Sequence, residues 1–225
     1  MKSSMIFAMA LVIVVIASAS AVAVESLTDQ IKSLEPIIGS FPPNINNEKE
    51  ANAVKKRYEA IKTELDTLLV KSPYNKDLLF MRGHLQNLGH NFDYPGALQG
   101  ATDDLRALLK ANPDHIPGII ELANLWVNSD PKLAPNAEQL FRGAQCYYGN
   151  QPLEVAQRGV FFALYYQGKM KEAFKQSEYL KKTWPQNAEY ERLSEMTRNV
   201  LIRANQGTNI AEPTSEKLIM ATCAK

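Results

Sequence analysis

Four prolines, Pro73, Pro113, Pro152 and Pro185, recur along this chain at separations of 40, 39 and 33 residues, each after a stretch with apolar residues three or four apart. This recurring helix breaker constrains the fold more than composition does. Proline has no amide hydrogen to donate and crowds the residue before it, so each one ends a helix. A period of this length belongs to a unit of two helices that cannot bury its apolar face alone and must stack on neighbours. The clearest copy places Leu85, Leu88, Gly89 and Phe92 on one helix and Ala101 and Leu105 on the next, ahead of Pro113. Its small residues, Gly89 and Ala101, are expected to face one another where the two helices approach most closely.

That spacing resembles the tetratricopeptide repeat, whose 34-residue pattern runs W-x2-L-G-x2-Y, then A-x3-F, then P. Leu85 stands at the tryptophan position. Ile119, Leu122, Ala123 and Trp126 reproduce the front half of a second unit, and Leu140, Ala144 and Tyr147 before Pro152 its back half. Between them, Asn128 to Asn136 carries two prolines and turn formers and is expected to be a loop insertion. A third unit spans Glu154 to Tyr166 and then Ala173, Ser177 and Leu180 before Trp184-Pro185, with Phe161 in place of the expected glycine.

From Glu48 to Leu69, the residues Val54, Tyr58, Ile61, Leu65, Leu68 and Leu69 describe an amphipathic helix, a divergent first unit. Ala188 to Leu201 describes a closing helix that would hide the open end of the array. Sustained alternation of apolar and polar residues is missing, so strands are not expected. The expected fold is all-α, a TPR-like α-solenoid over residues 48–204. The resemblance implies a right-handed superhelical stack of antiparallel helix hairpins. Residues 24–47 are expected to hold a short helix, Ser26 to Leu34, ended by Pro36, and a linker, and residues 205–225 a flexible tail.

The first 23 residues form a separate object. Lys2 is their only charge, Met5 to Ile16 is apolar throughout, and Ala17-Ser18-Ala19, Ala19-Ser20-Ala21 and Ala21-Val22-Ala23 each offer an A-x-A site. This is the pattern of a secretory signal peptide, which predicts a periplasmic or secreted protein. The competing reading is an uncleaved anchor facing the exported side, because Met5 to Val24 is charge-free and long enough to span a bilayer.

Composition then limits the partners. Removing the signal takes away Lys2 and leaves 24 basic against 24 acidic side chains, from 25 and 24 in the whole chain. A nucleic-acid partner would demand a basic excess on one face. Lys169, Lys171, Lys175, Lys181 and Lys182 are interleaved with Glu172 and Glu178, a solvated helix face. No nucleic acid is expected, and a membrane only if the N-terminal segment stays in place.

The common catalytic signatures are absent: nucleophile elbow, H-E-x-x-H, P-loop, C-x-x-C and dinucleotide fingerprint. His84 and His90 lie six residues apart, facing ~120° away from each other on a helix, so they cannot clasp one metal. His115, just before a helix, reads as a capping or surface histidine. No cofactor, metal or catalytic residue is expected. Cys146 and Cys223 are candidates for a disulfide, since an exported chain with an even cysteine count favours one; two independent thiols are the alternative.

The family resemblance implies where a partner would bind. In tetratricopeptide proteins the first helix of each repeat lines a concave groove that holds a segment of another protein. By position, that lining would be Gln86, His90 and Asp93, then Ile120, Asn124 and Val127, then Arg158, Phe162 and Tyr165, flanked by Tyr166. The implied function is a non-catalytic, exported protein-protein interaction scaffold. Its order of elements is similar to the periplasmic repeat domains of cytochrome c maturation. The alternatives are a helical carrier or enzyme enclosing a small molecule, walled by Trp126, Phe162 and Tyr165, and a membrane-anchored subunit of an envelope assembly.

Overall fold

The computed structural model describes residues 26–204. The expectations for the signal segment and for the tail, including Cys223, fall on residues outside that range. Among the described residues every regular element is helical and none is a strand. The chain divides into two compact units between Asp104 and Leu105.

The first unit begins with α1 (26–32), α2 (Glu35–Ile38), α3 (Glu48–Lys71) and α4 (Lys76–Asn91), and includes the start of α5 (Ala97–Ala111). Helix α3 starts where Asn47 accepts the Glu50 amide at 2.9 Å, while the Glu50 carboxylate accepts from Asn46. Its apolar stripe buries Val54, Tyr58, Ile61, Leu65 and Leu69, the periodicity read from the sequence except that Leu68 is only half-buried. Pro36 is the second residue of α2, two on from the N-cap Leu34, where the sequence alone suggested a helix end. Leu27, Ile31, Leu34 and Ile38 are each at most 2% exposed, so α1 and α2 are packed structure. Polar contacts fasten it: Thr28 donates to Met81 Sδ, Asn91 to the Ile38 carbonyl, and His84 meets Glu35 at 3.2 Å.

The second unit holds the rest of α5, then α6 (Ile116–Ser129), a 3-10 turn (Pro131–Leu133), α7 (Ala134–Tyr148), α8 (Glu154–Tyr166), α9 (Met170–Thr183) and α10 (Ala188–Arg203). Each helix from α6 to α10 packs on the next in sequence, and α6 also touches α8. Phe141, Phe161, Val160, Ala137, Ala163 and Ala173 lie at the centre of the core.

Three of the four prolines build the same joint. Ser72, Asn112 and Trp184 each donate to the carbonyl four residues back and accept from Asn75, His115 and Asn187 three residues on. Proline therefore sits at the second position of a β-turn, where its fixed φ is already correct. The fourth residue after the helix then caps the following one: Asn75 accepts from Asp77 and Leu78, His115 from Gly118, and Asn187 from Glu189. Pro152 departs from this device. There the buried Gln145 amide donates to the Gly149 and Gln151 carbonyls and accepts from Leu153, so a core side chain holds the loop.

Two sequence expectations are corrected. Asn128 and Ser129 finish α6, Asp130 caps a single 3-10 turn through Lys132, and Ala134 to Asn136 already belong to α7. The two prolines, which suggested a loop, instead occupy first-turn positions where their missing amide hydrogens cost nothing. The closest approach at Gly89 is to α3 rather than to Ala101. A Cβ on Gly89 would stand 2.6 to 2.7 Å from the Tyr58 ring and hydroxyl of α3, so the glycine admits a side chain from the helix before it. The same relation recurs in the second unit, where a Cβ on Gly118 would meet Leu108 and one on Gly159 would meet Phe141. Phe161, at the position where the repeat has glycine, is completely buried, and Gly159 provides the close approach two residues earlier.

Candidate functional site

Of the residues aligned with a groove, Gln86 and His90 belong to the first unit and Asn124, Arg158, Phe162, Tyr165 and Tyr166 to the second. Gln86 is 5% exposed, and its amide donates to Asp104 at 2.7 Å. Asp104 also takes two hydrogen bonds from Arg82, at 2.8 and 2.6 Å, and Arg82 reaches Asp66 at 2.8 Å. Gln86 thus belongs to a buried network, closed over by Gly100, where a Cβ would lie 1.9 Å from the amide oxygen. Burial alone would raise the Asp66 carboxyl, but hydrogen bonds from Lys62 and Arg82 hold it below its ordinary value. His90 is half-buried on the last turn of α4, and Asp93 is exposed with φ at 52°, in the left-handed region that aspartate tolerates. Gly168, with φ at 72°, ends α8 the same way, and the residue after each closes a six-residue backbone bond.

In the second unit the aromatic candidates pack against one core. Ile120 and Trp126 of α6 and Phe162 and Tyr165 of α8 are all half-buried against the same core. Phe162 lies edge-on to Phe161 at 5.1 Å, Tyr165 stacks on Phe161 at 6.2 Å, and Tyr166 meets Tyr165 edge-on at 5.8 Å. Tyr166 is the most open of these, at 43%. Asn124 and Arg158 are half-buried on the same two helices, whereas Val127 is core.

Helix α10 borders this stripe. Glu154, one turn before Arg158, accepts from the Tyr190 hydroxyl at 2.6 Å and from Asn187 at 3.3 Å. Burial and the bond to Glu154 push the Tyr190 phenol up, against the pull of Arg158. Two contributors escaped the sequence reading. Arg106 lies over the Trp126 ring, 5.6 Å from its centroid, and Glu154 ties α8 to α10. Neither pairing has a local signature, because the partners are 20 and 36 residues apart.

Chemically, these residues offer an amide, a guanidinium, phenol groups and aromatic rings. His115 accepts a backbone amide as the α6 cap. Among the described residues, no three of His, Cys, Asp and Glu gather where they could hold a metal ion. No described helix is long and apolar enough to cross a membrane. Cys146 is half-buried near the end of α7, and its candidate partner Cys223 lies outside the described residues. No family model, no curated protein and no solved structure matches the chain.

Proposed function

We propose that this chain is an exported, non-catalytic scaffold that captures a segment of another protein on the α6–α8 face, within a tetratricopeptide-like solenoid formed by α6 to α10. The observation that carries the reading is the aromatic stripe: Ile120 and Trp126 on one helix and Phe162 and Tyr165 on another share a core yet stay partly open. Aromatic and arginine side chains dominate binding energy at interfaces because they bury large area and still offer a hydrogen bond. The contact between α6 and α8, which skips α7, supports the solenoid, as does the recurring proline joint. Export rests on the A-x-A sites and the apolar N-terminal run.

A photo-crosslinking amino acid at Phe162 or Tyr165, in the native cell, tests the face. One recurring adduct is expected, lost when Arg158 becomes alanine and absent when the crosslinker stands at Lys175. Truncating a central arginine or aromatic anchor commonly weakens binding by ~2 kcal/mol, about thirtyfold. Equal labelling from Lys175, or an adduct indifferent to Arg158→Ala and Tyr165→Ala in folded protein, would refute this assignment. Intact mass of the recovered protein tests export, with a mature start between Ser20 and Val24 expected; a chain retaining Met1 in the membrane fraction would favour the anchor.

A further inference from the structure

Tyr147 and Tyr148 end α7 with 53% and 52% of their surface open, and Gly149, Asn150 and Gln151 after them are exposed as well. From Gly143 to Leu153, between Arg142 and Glu154, no residue carries a charge, in a chain where 22% of residues do. Among the described residues, neither phenol and neither side-chain amide of Asn150 and Gln151 has a hydrogen-bond partner. The backbone that carries them is nevertheless held from inside. Gln145, 2% exposed, donates to the Gly149 and Gln151 carbonyls and accepts from the Leu153 amide. Gln157 donates to Gln145 and Gln176 to Gln157, so a buried ladder of amides ties the loop to α8 and α9. Gly149, with φ at 104°, turns the chain directly after Tyr148 in a region that glycine enters without strain. A ligand meeting this loop would have little backbone to order, which lowers the cost of binding.

Exposure alone does not single out the loop. Tyr74 of the first unit is more open, at 83%, but the side chain of the next residue, Asn75, is committed to capping α4. Between α7 and α8, open rings stand in sequence beside uncommitted amides, the pairing of rigid aromatic area with adaptable hydrogen bonding that binding surfaces use.

We infer that the α7–α8 loop is a binding site for a neutral saccharide built of pyranose rings with equatorial hydroxyls. Each face of such a ring presents only C–H groups, which pack on a phenol ring, and its hydroxyls lie around the rim, where both donors and acceptors are needed. A primary amide carries both. A carboxylate or phosphate ligand would call for a cation, which this segment lacks. A wholly apolar ligand would bury the amides without partners. Tyr147 and Tyr148 stand about 100° apart around α7, so they meet successive units of an oligosaccharide rather than one ring. The site rests neither on protein capture by the α6–α8 face nor on export.

Saturation-transfer NMR on the full chain, with cellotetraose and the tetramer of N-acetylglucosamine as probes, tests this assignment. Transfer to the ring C–H protons of at least one tetramer is expected, with a Kd on the order of 1 mM. The tetramer that binds more tightly identifies the source as a glucan or an amino-sugar polymer. Tyr147→Ala and Tyr148→Ala should each weaken binding about tenfold, and Asn150→Ala about threefold, in protein with the circular dichroism and Tm of the parent. Tyr74→Ala and Lys175→Ala should leave the Kd unchanged. No transfer to either tetramer, a Kd that ignores both α7 tyrosines, or an equal loss in Tyr74→Ala would overturn the site. A protein adduct from a photo-crosslinker at Tyr148 in the native cell, undiminished by excess tetramer, would assign the loop to a protein partner and overturn the saccharide.

Discussion

Replacing Gly159 by alanine adds one methyl group to α8 at a point where the neighbouring helix leaves no room. The new Cβ would stand 2.3 to 2.4 Å from three ring carbons of Phe141, which is completely buried on α7. Carbon atoms pack at ~3.5–4.0 Å, so the contact is short by about 1.2 Å. The ring cannot withdraw, because Ala137, Val160 and Phe161 fill the core around it. Overpacking of this kind costs ~1–3 kcal/mol, and the shortfall places it near the upper limit. Against that, alanine is favoured over glycine inside a helix by ~1 kcal/mol. A net loss of about 2 kcal/mol follows, equivalent to a fall in Tm of about 4–8 °C for a domain of this size. Urea unfolding followed by tryptophan fluorescence is the direct assay, because both tryptophans, Trp126 and Trp184, lie in the second unit with the mutated site. The decisive control is Phe141→Leu. Shortening the ring should free the methyl group, so that Gly159→Ala becomes neutral or stabilising by up to ~1 kcal/mol, a coupling of about 2–3 kcal/mol. Equal losses in both backgrounds, or a single variant as stable as the parent, would show that Gly159 is not the point of close approach.

Two further outcomes are expected from buried polar groups. The Tyr58 hydroxyl is buried without a hydrogen-bond partner while its ring lies 4.4 Å from that of Tyr94, so Tyr58→Phe keeps the packing and removes an unsatisfied group. Stability of the first unit, followed by circular dichroism, should stay level or rise by up to ~1 kcal/mol; a loss above ~1 kcal/mol would reveal a partner for the hydroxyl. Burial alone would raise the Glu138 carboxyl, but hydrogen bonds from Gln167 and Arg142 and the charges of Arg142 and Lys169 hold it below the usual carboxylate range. Because the folded value is lowered, its contribution is complete above the unfolded value and disappears as pH falls through the folded one. Urea titrations should therefore find Glu138→Gln less stable than the parent at pH 7, with the gap narrowing below about pH 4. A gap that persists unchanged to pH 3 would remove the carboxylate as its source.

The helices themselves were legible in the sequence because their causes are local. The three-and-four spacing from Val54 to Leu69 is a property of one helix, and α3 forms over Glu48–Lys71 around that stripe. Pro73, Pro113 and Pro185 act through their own ring and the next two residues, so the same turn and cap appear at all three. Local rules were ambiguous where a proline can either stop or start a helix. At Pro36, Pro131 and Pro135 it starts one, because the backbone ahead supplies the entry geometry. The candidate face was legible to the same degree. Half-burial of Phe162 and Tyr165 follows from their place on the α8 stripe, but the same stripe rule put Gln86 on a surface, where Asp104 and Arg82 in fact hold it inside.

What the sequence by itself determined is therefore most of the apolar stripe of each helix and the helix ends at Pro73, Pro113 and Pro185. What only the tertiary structure decided is which inward residues meet. Gly89 and Gly159 are small positions in either view, but their partners are Tyr58 and Phe141 on the helix before, and Gln145, Gln157 and Gln176 are polar residues that satisfy one another across three helices. Helical periodicity sets the direction of a side chain about its own axis; the offset and distance of the neighbouring helix depend on the side chains of both, and no single segment contains that information.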